Sequence, residues 1–308
     1  MNRLCGSGLQ AIVSATQMIR LGDAEVALAG GAECMSRAGH LMRSARWGQK
    51  MGDAAATDML VGALHDPFGN GHMGVTAENV AQAHSIPREA QDRLAAESHH
   101  RAARAIAEGR FAAQVVPVEV ADRKGTRRFD TDEHVRADVS AETLGELRPA
   151  FRKDGTVTAG NASGINDGAA ALVLMEAGEA TRRGLAPLAR IVAYAHAGVE
   201  PSQMGIGPVP AVRRVLERAG LRVGDLDVIE SNEAFAAQAC AVAAGLDLPP
   251  ERTNPNGGAI ALGHPVGASG AIITVKLLHE LRRSGGRYGL ATMCIGGGQG
   301  IALLVERL

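Results

Sequence analysis

The chain is poor in aromatic residues, poor in cysteine, almost without net charge and without a long uninterrupted apolar run, and each shortage excludes something. Phe, Trp and Tyr make up 3% of its 308 residues, whereas glycine reaches 39. Against a usual glycine content of ~7%, this describes an interior built on small side chains and close backbone contact. With 32 Lys and Arg against 33 Asp and Glu, the formal charge is −1, so no overall field draws the chain to nucleic acid or to an anionic membrane. Its apolar runs are broken by glycine or charge well short of the ~20 residues that a membrane span needs. Four cysteines, at positions 5, 34, 240 and 294, point in a chain this long to reduced thiols in the cytoplasm. No CxxC or HExxH spacing occurs, which leaves metal binding without support. The length allows two packed domains, or one with a large insertion.

What is present is concentrated in the stretch Thr253 to Gly300. It sets His264 and Cys294 in glycine-rich turns at the two ends of one helix, about Ser269 to Arg283, and one short uncharged strand, Tyr288 to Met293. The first residues repeat the pattern: Cys5 in RLCGSG, a helical run with Leu9, Ile12, Val13 and Ile19, a stop at Gly22, and an apolar strand from Val26 to Ala29. From Met35 the texture changes to an irregular excursion through Gly74. A helix capped by Ser85 follows, with Pro87 in its first turn and Gly109 at its end. Val115 to Val120 reads as a half-buried strand, Lys124-Gly125 as a turn toward a second strand near Phe129, and the surrounding Arg and Lys residues as a solvated face or a seat for an anion. Small residues return from Gly155 and lead to a strand at Ala170 to Met175. The second core starts at Leu188, with a helix from Pro210 to Gly220 and a strand from Asp225 to Ser231. Strands alternating with helices indicate an α/β protein with predominantly parallel pairing inside each half.

The chemistry-bearing residues each have a plain alternative. Cys5 precedes a helix, whose positive end and unpaired amides should lower its pKa and favour the thiolate; a lone cysteine is otherwise read as a small buried hydrophobe. His264 could be a satisfied structural histidine, Cys294 core filler and Asn232 a helix cap. All four stand in glycine-rich or strand-to-helix turns. Gly6 to Ala11 also fits the GxGxxA dinucleotide fingerprint, which keeps an NAD-dependent oxidoreductase open as a second reading, although the fingerprint explains neither His264 nor Cys294.

The strings LCGSGLQAI, HMGVTAEN, GTVTAGNASGINDGAA, NEAFAAQ, NPNGGAIALGHPVGASGA and CIGGGQG occur in this order and resemble the thiolases across the whole chain, with wording similar to the bacterial β-ketothiolase branch. The resemblance implies a duplicated, five-layered α/β/α/β/α fold. Residues 1–34 and 163–185 would form the N-terminal half, residues 35–162 a loop domain covering coenzyme A, and residues 186–308 the C-terminal half. It implies reversible Claisen condensation or thiolysis of a 3-ketoacyl-CoA, with coenzyme A thioesters as substrates, no separate cofactor or metal, and a cytoplasmic homotetramer. By matching motifs, Cys5 would accept the acyl group, His264 would be its base and an oxyanion-hole donor, and Cys294 the second acid/base. Asn232 would hold the water of one oxyanion hole, and the amides of Cys5 and Gly296 would form the other. His72, Met73, Arg136, Ser163 and Phe235 would contact coenzyme A. Cys34 departs from the family wording and has no role in this scheme. The family also carries a strand and helix region before the nucleophile, so the first half is expected to be incomplete and the chain poorly folded or inactive alone; a thiolase-like fragment serving as an assembly module is the corresponding alternative.

Overall fold

The computed structural model describes residues 1–123 and 125–308. Helix α1 (Ser7–Leu21) buries Leu9, Ile12 and Val13 on one face and stops at Gly22, whose φ of 80° closes the last turn in the left-handed region that glycine tolerates. Strand β1 (Val26–Cys34) follows. The chain then leaves for an excursion containing helices α2 (Met73–Ala83) and α3 (Arg88–Ala107) and the hairpin β2 (Val118–Asp122) and β3 (Gly125–Phe129). It returns as β4 (Asp167–Met175), which pairs antiparallel with β1 so that Val26 faces Met175 and Cys34 faces Asp167. The second half comprises β5 (Ala189–Gly198), α4 (Pro208–Ala219), β6 (Val228–Ser231), α5 (Ala236–Leu246), α6 (Ser269–Ser284), β7 (Tyr288–Ile295) and β8 (Gln299–Arg307). Its sheet has the order β5-β8-β7-β6.

The duplication read from the sequence is present: α6 ends at a left-handed Gly285 and passes into β7 and its antiparallel partner β8, as α1 passes through Gly22 into β1 and β4. The two equivalent helices cross in the middle of the molecule. A methyl on Gly8 would sit 2.7 Å from the Ala271 amide nitrogen, and one on Gly270 would sit 2.2 Å from that of Leu9. Helix backbones therefore touch here, which explains why both helices begin with small residues. One core joins Leu9, Ile12 and Val13 of α1 to Ile273, Leu277 and Leu281 of α6 and to the facing side chains of β7 and β8. On the other face of the larger sheet, Val212, Val215 and Leu216 of α4 pack on Ile229, Leu290 and Leu304.

Several expectations change. Pairing is mostly antiparallel, and among the described strands only β6 and β7 run parallel. The tight glycine loop between β7 and β8 leaves room for a hairpin but not for the crossover that parallel strands require. The helix expected to be capped by Ser85 begins at Arg88 after Pro87, because Ser85 takes a left-handed φ of 53°. Strand β1 is buried on one face only: Ala29 points into the core while Leu28 is 75% exposed. The hairpin expected around residues 115–129 exists, but the turn residue Lys124 lies outside the described residues.

The excursion is fastened to the second half through α3. Arg101 donates to the carbonyls of Thr253 and Pro250 at 2.7 and 3.0 Å, and Ser98 Oγ donates to Glu233 at 2.6 Å.

Candidate active site

Cys5 lies in a single 3-10 turn, Leu4–Gly6, that runs directly into α1. The residue before it, Leu4, has a φ of 49°, a left-handed conformation costly for a branched side chain. Local bonds hold it there: Leu4 N donates to Asn2 Oδ1 at 2.9 Å, Ser7 Oγ donates to the Leu4 carbonyl at 2.7 Å, and Arg3 N donates to Ser7 Oγ at 2.8 Å. The strain re-aims the chain so that the Cys5 sulfur receives the amides of Gly296 and of Cys5 itself.

These amides do not make a resting thiolate. Burial pushes the Cys5 thiol up to about 11, outweighing the lowering by the two amides, and nearby Glu33 adds to the rise. The lowering expected from a helix start is thus overruled by desolvation. Cys294 is one residue from the end of β7, in regular strand rather than in the glycine turn beyond it. Burial first, and then the charge that Cys5 would carry, push its thiol up as well. All four cysteines are free thiols.

His264 is buried and lies in the loop before α6, which rests on the first turn of α1, with the Ala268 carbonyl against Gly8. Its Nδ1 meets Ser269 Oγ at 2.6 Å, and Ser269 Oγ is 2.9 Å from the Pro265 carbonyl. A hydroxyl has one proton; directed at Pro265 it leaves Oγ to accept Nδ1–H, so the lone pair of the ring stands on Nε2. That Nε2 is buried and has no protein partner among the described residues. Burial lowers the His264 pKa to about 4, which keeps the ring neutral and basic at Nε2.

Asn232 follows β6 and is held beside β7 by its amide, which donates to the Thr292 carbonyl at 3.0 Å. Both its side-chain Nδ2 and Oδ1 are buried without a protein partner among the described residues. The neighbouring Glu233 is structural: its carboxylate accepts from Ser98 Oγ, Asn254 Nδ2 and Ile260 N at 2.6, 2.8 and 3.3 Å. This network leaves Asn232 as the polar side chain of the turn free to meet a ligand or water.

The remaining expected residues divide. A methyl on Gly296 would meet Leu4 Cδ1 at 3.1 Å and Met73 Sδ at 3.4 Å, so Met73 reaches the Gly296 turn from the excursion and packs in one cluster with Cys294. His72 caps α2 by accepting Gly74 N at 3.0 Å on Nδ1, and its ring stacks on Phe151 at 4.9 Å. Phe151 in turn meets Phe235 edge-on at 6.2 Å. Ser163 donates both N and Oγ to the Ala234 carbonyl, at 3.1 and 2.9 Å. These four residues form a wall continuous with the buried group of Met73, Phe235 and Cys294. Arg136 is not part of it: it is exposed, and its amide donates to His99 Nδ1 at 3.1 Å. Sequence reasoning missed Ser269, Phe151 and Asn166, whose Oδ1 accepts the His264 amide at 3.2 Å; no local spacing marks any of them. An apolar cleft of about 1940 Å³ along β1, β4 and α6 reaches Asn232 and Ser269 but has neither Cys5, Cys294 nor His264 in its lining.

A duplicated α/β fold with two thiols, a neutral imidazole and inward-facing amides at the junction of its halves can carry an acyl group on sulfur and stabilise charge on a thioester oxygen. Comparison with known proteins identifies the class. The thiolase N-terminal domain family model matches residues 1–178 and the thiolase C-terminal domain model residues 185–307. A β-ketothiolase, BktB, of Cupriavidus necator is 65% identical over 308 residues, which is 100% of this chain and 78% of that protein. The acetyl-CoA acetyltransferase of Escherichia coli K12 is 54% identical over 310 residues, with the same two coverages. Among solved structures, the acetyl-CoA acetyltransferase of Bacillus anthracis superposes with a TM-score of 0.98 at 50% identity, covering 100% of this chain and 78% of that one. Human mitochondrial 3-ketoacyl-CoA thiolase in complex with CoA gives 0.96 at 48%, covering 100% and 77%. The chain belongs to the thiolase family. The dinucleotide reading falls with it, since the space at Gly8 that a cofactor would need is occupied by α6.

Proposed function

We propose that the chain is an acyl-CoA C-acyltransferase that condenses two coenzyme A thioesters, or cleaves a 3-ketoacyl-CoA, through an acyl group on Cys5. The observation that carries this reading is the pair of thiols at the junction, with the Gly296 and Cys5 amides both directed at the Cys5 sulfur. In the first half-reaction Cys5 Sγ attacks the thioester carbonyl as its proton passes to His264 Nε2. The bond to the coenzyme A sulfur breaks, and the proton leaves with that thiol. With the thiol near 11 and the ring near 4, no standing thiolate–imidazolium pair forms, so the proton has to move as the sulfur attacks. In the second, the Cys294 proton passes to the neutral His264 Nε2, and the Cys294 thiolate removes an α-proton from another acyl-CoA. The resulting carbon attacks the Cys5 thioester, and the Cys5 sulfur departs and takes the proton held on His264 Nε2. Acylation holds the Cys5 sulfur uncharged while Cys294 ionises, so the Cys5 charge that would raise Cys294 is absent from this step. Asn232 with a water, together with His264 while its Nε2 carries the proton, offers donors to the enolate oxygen, and the amides of Cys5 and Gly296 offer them to the oxygen of the acyl-enzyme; each donor is worth about 3 kcal/mol.

Every step is assigned to groups of the chain itself, with coenzyme A thioesters as the only further reactants and no separate cofactor or metal. We assign residues 35–162 as the cover over coenzyme A, between a first half of residues 1–34 and 163–185 and a second of residues 186–308. The His72, Phe151 and Phe235 wall supports this, being apolar with His72 Nε2–H left as a donor for an amide of the pantetheine arm. We also assign the protein to the cytoplasm, as a homotetramer. No described helix is long and apolar enough to cross a membrane.

The test is mass spectrometry of the Cys294→Ala variant after a rapid quench from 3-ketoacyl-CoA or acetyl-CoA. The Cys5 peptide should carry an acyl group in near-stoichiometric amount without steady turnover. Full turnover would remove Cys294 from the mechanism, and an acyl group found only on the parent protein's Cys294 peptide would reverse the two roles.

A further inference from the structure

The Gly296 amide that faces Cys5 belongs to the run Gly296-Gly297-Gly298, with φ of 81° and 83° at the last two residues. Three glycines in sequence have no preferred geometry of their own, so something outside the run must fix the donor. Gln299 supplies one tie, as its Nε2 donates to the Gly296 carbonyl at 3.3 Å. The Gln299 amide is itself oriented, because Arg3 Nε lies 3.1 Å from its Oε1. A guanidinium has donors only, so the oxygen of Gln299 must face Arg3 and the nitrogen must face Gly296. The other end of the Arg3 fork is also anchored: Nη1 donates to Gln10 Oε1 on α1 and, at 2.9 Å, to His196 Nδ1 on β5. His196 accepts there as a neutral ring, in keeping with the lowering of its pKa by burial and by Arg3. Arg3 also closes the nucleophile's turn from the backbone, its carbonyl accepting Gly6 N at 3.0 Å.

We propose that Arg3 and Gln299 are positioning residues: Arg3 orients the Gln299 amide, and Gln299 holds the Gly296 amide on Cys5, so that the nucleophile from the first half and its donor from the second are fixed by one fork. This rests on the proposed function for its kinetic consequence but not for the state of the Cys5 thiol. Lysine at position 3 keeps the charge and loses the planar fork, which is needed to reach Gln299 and His196 at once. Glutamate at position 299 keeps an acceptor for Arg3 and loses the donor to Gly296, and methionine at 299 keeps the shape without either.

The experiment compares the full chain with Arg3→Lys, Gln299→Glu and Gln299→Met, each checked by circular dichroism and melting temperature. It reads the rate of Cys5 alkylation by iodoacetamide against pH, and kcat and KM for thiolysis. The expected result is a kcat lower by about 10- to 100-fold with KM within about twofold, since donor and nucleophile are displaced while the coenzyme A wall is untouched. The alkylation profile should move to higher pH in all three variants. Wild-type profile and kcat in Arg3→Lys or in Gln299→Met would overturn the proposal, and if one variant fails to fold the other decides. A parent protein that is alkylated at Cys5 but turns over no acyl-CoA would sink the proposed function instead, while the alkylation profiles would still judge the tether.

Discussion

His264 shows at the scale of one residue how burial, rather than a charged partner, prepares a base. Its pKa in the folded chain is about 4, below the ~6.5 of an unfolded histidine. Between those values the unfolded chain binds a proton that the folded chain does not, so stability rises with pH through this window. It is fully present above about 6.5 and is lost as pH falls toward 4, by roughly 2 kcal/mol at pH 5 from this residue alone. His99 is lowered to about 4, by burial first, and adds in the same direction. Urea unfolding midpoints at pH 7.5 and pH 5 check this: His264→Gln should lose less stability between the two than the parent does. Equal losses would mean that the ring is not held neutral. The imidazole was legible in the string GHPVGASG as a reactive candidate, but its tautomer was not. That depends on Ser269, five residues on, being turned back by the first turn of α6.

Among the elements, the crossing of α1 and α6 decides whether the thiols and the imidazole can share a site, since α1 starts after Cys5 and α6 after His264. The crossing is a backbone contact that excludes even a methyl group at Gly270, where the nearest atom would be 2.2 Å away and belongs to the main chain. Gly270→Ala should therefore cost about 1–3 kcal/mol of overpacking and lower the acylation rate of Cys5 by shifting the helix start. Gly285→Ala is the contrast: it would meet nothing within 4 Å, so its cost comes only from the left-handed φ of 74°. Chemical unfolding separates the two, and a Gly270→Ala variant with parent-like stability and acylation would show that the crossing can yield. The sequence marked both helices as amphipathic and glycine-rich, yet nothing local said that the two would be partners 262 residues apart at Gly8 and Gly270.

For the whole molecule, a formal charge of −1 gives no general attraction for a nucleotide anion, so capture of coenzyme A needs a local basic group. Arg127 and Arg128 are exposed and paired with Glu133 and Asp130, at 3.9 and 3.0 Å, which makes them a solvated face. Arg136 is exposed on the same excursion and forms no ion pair among the described residues. If it meets the phosphates of coenzyme A, Arg136→Ala should raise KM for an acyl-CoA severalfold and leave KM for the matching pantetheine thioester unchanged, with kcat constant for both; an exposed contact of this kind is worth at most about 1 kcal/mol. Equal changes in the two KM values would place Arg136 away from the ligand.

The sequence by itself determined the duplicated helix, glycine and strand units and the α/β class, which rest on local pattern, and it singled out Cys5, His264, Cys294 and Asn232 as candidates for the reactive set through their turns and matching motifs. Tertiary structure decided what depends on contacts between distant segments. It set antiparallel pairing through the β7–β8 hairpin and left one face of β1 exposed. Burial, which no residue shows on its own, turned the expected Cys5 thiolate into a thiol near 11. The strain at Leu4 and the tie from Arg3 through Gln299 to Gly296 likewise exist only because the first residues of the chain close on its last strand.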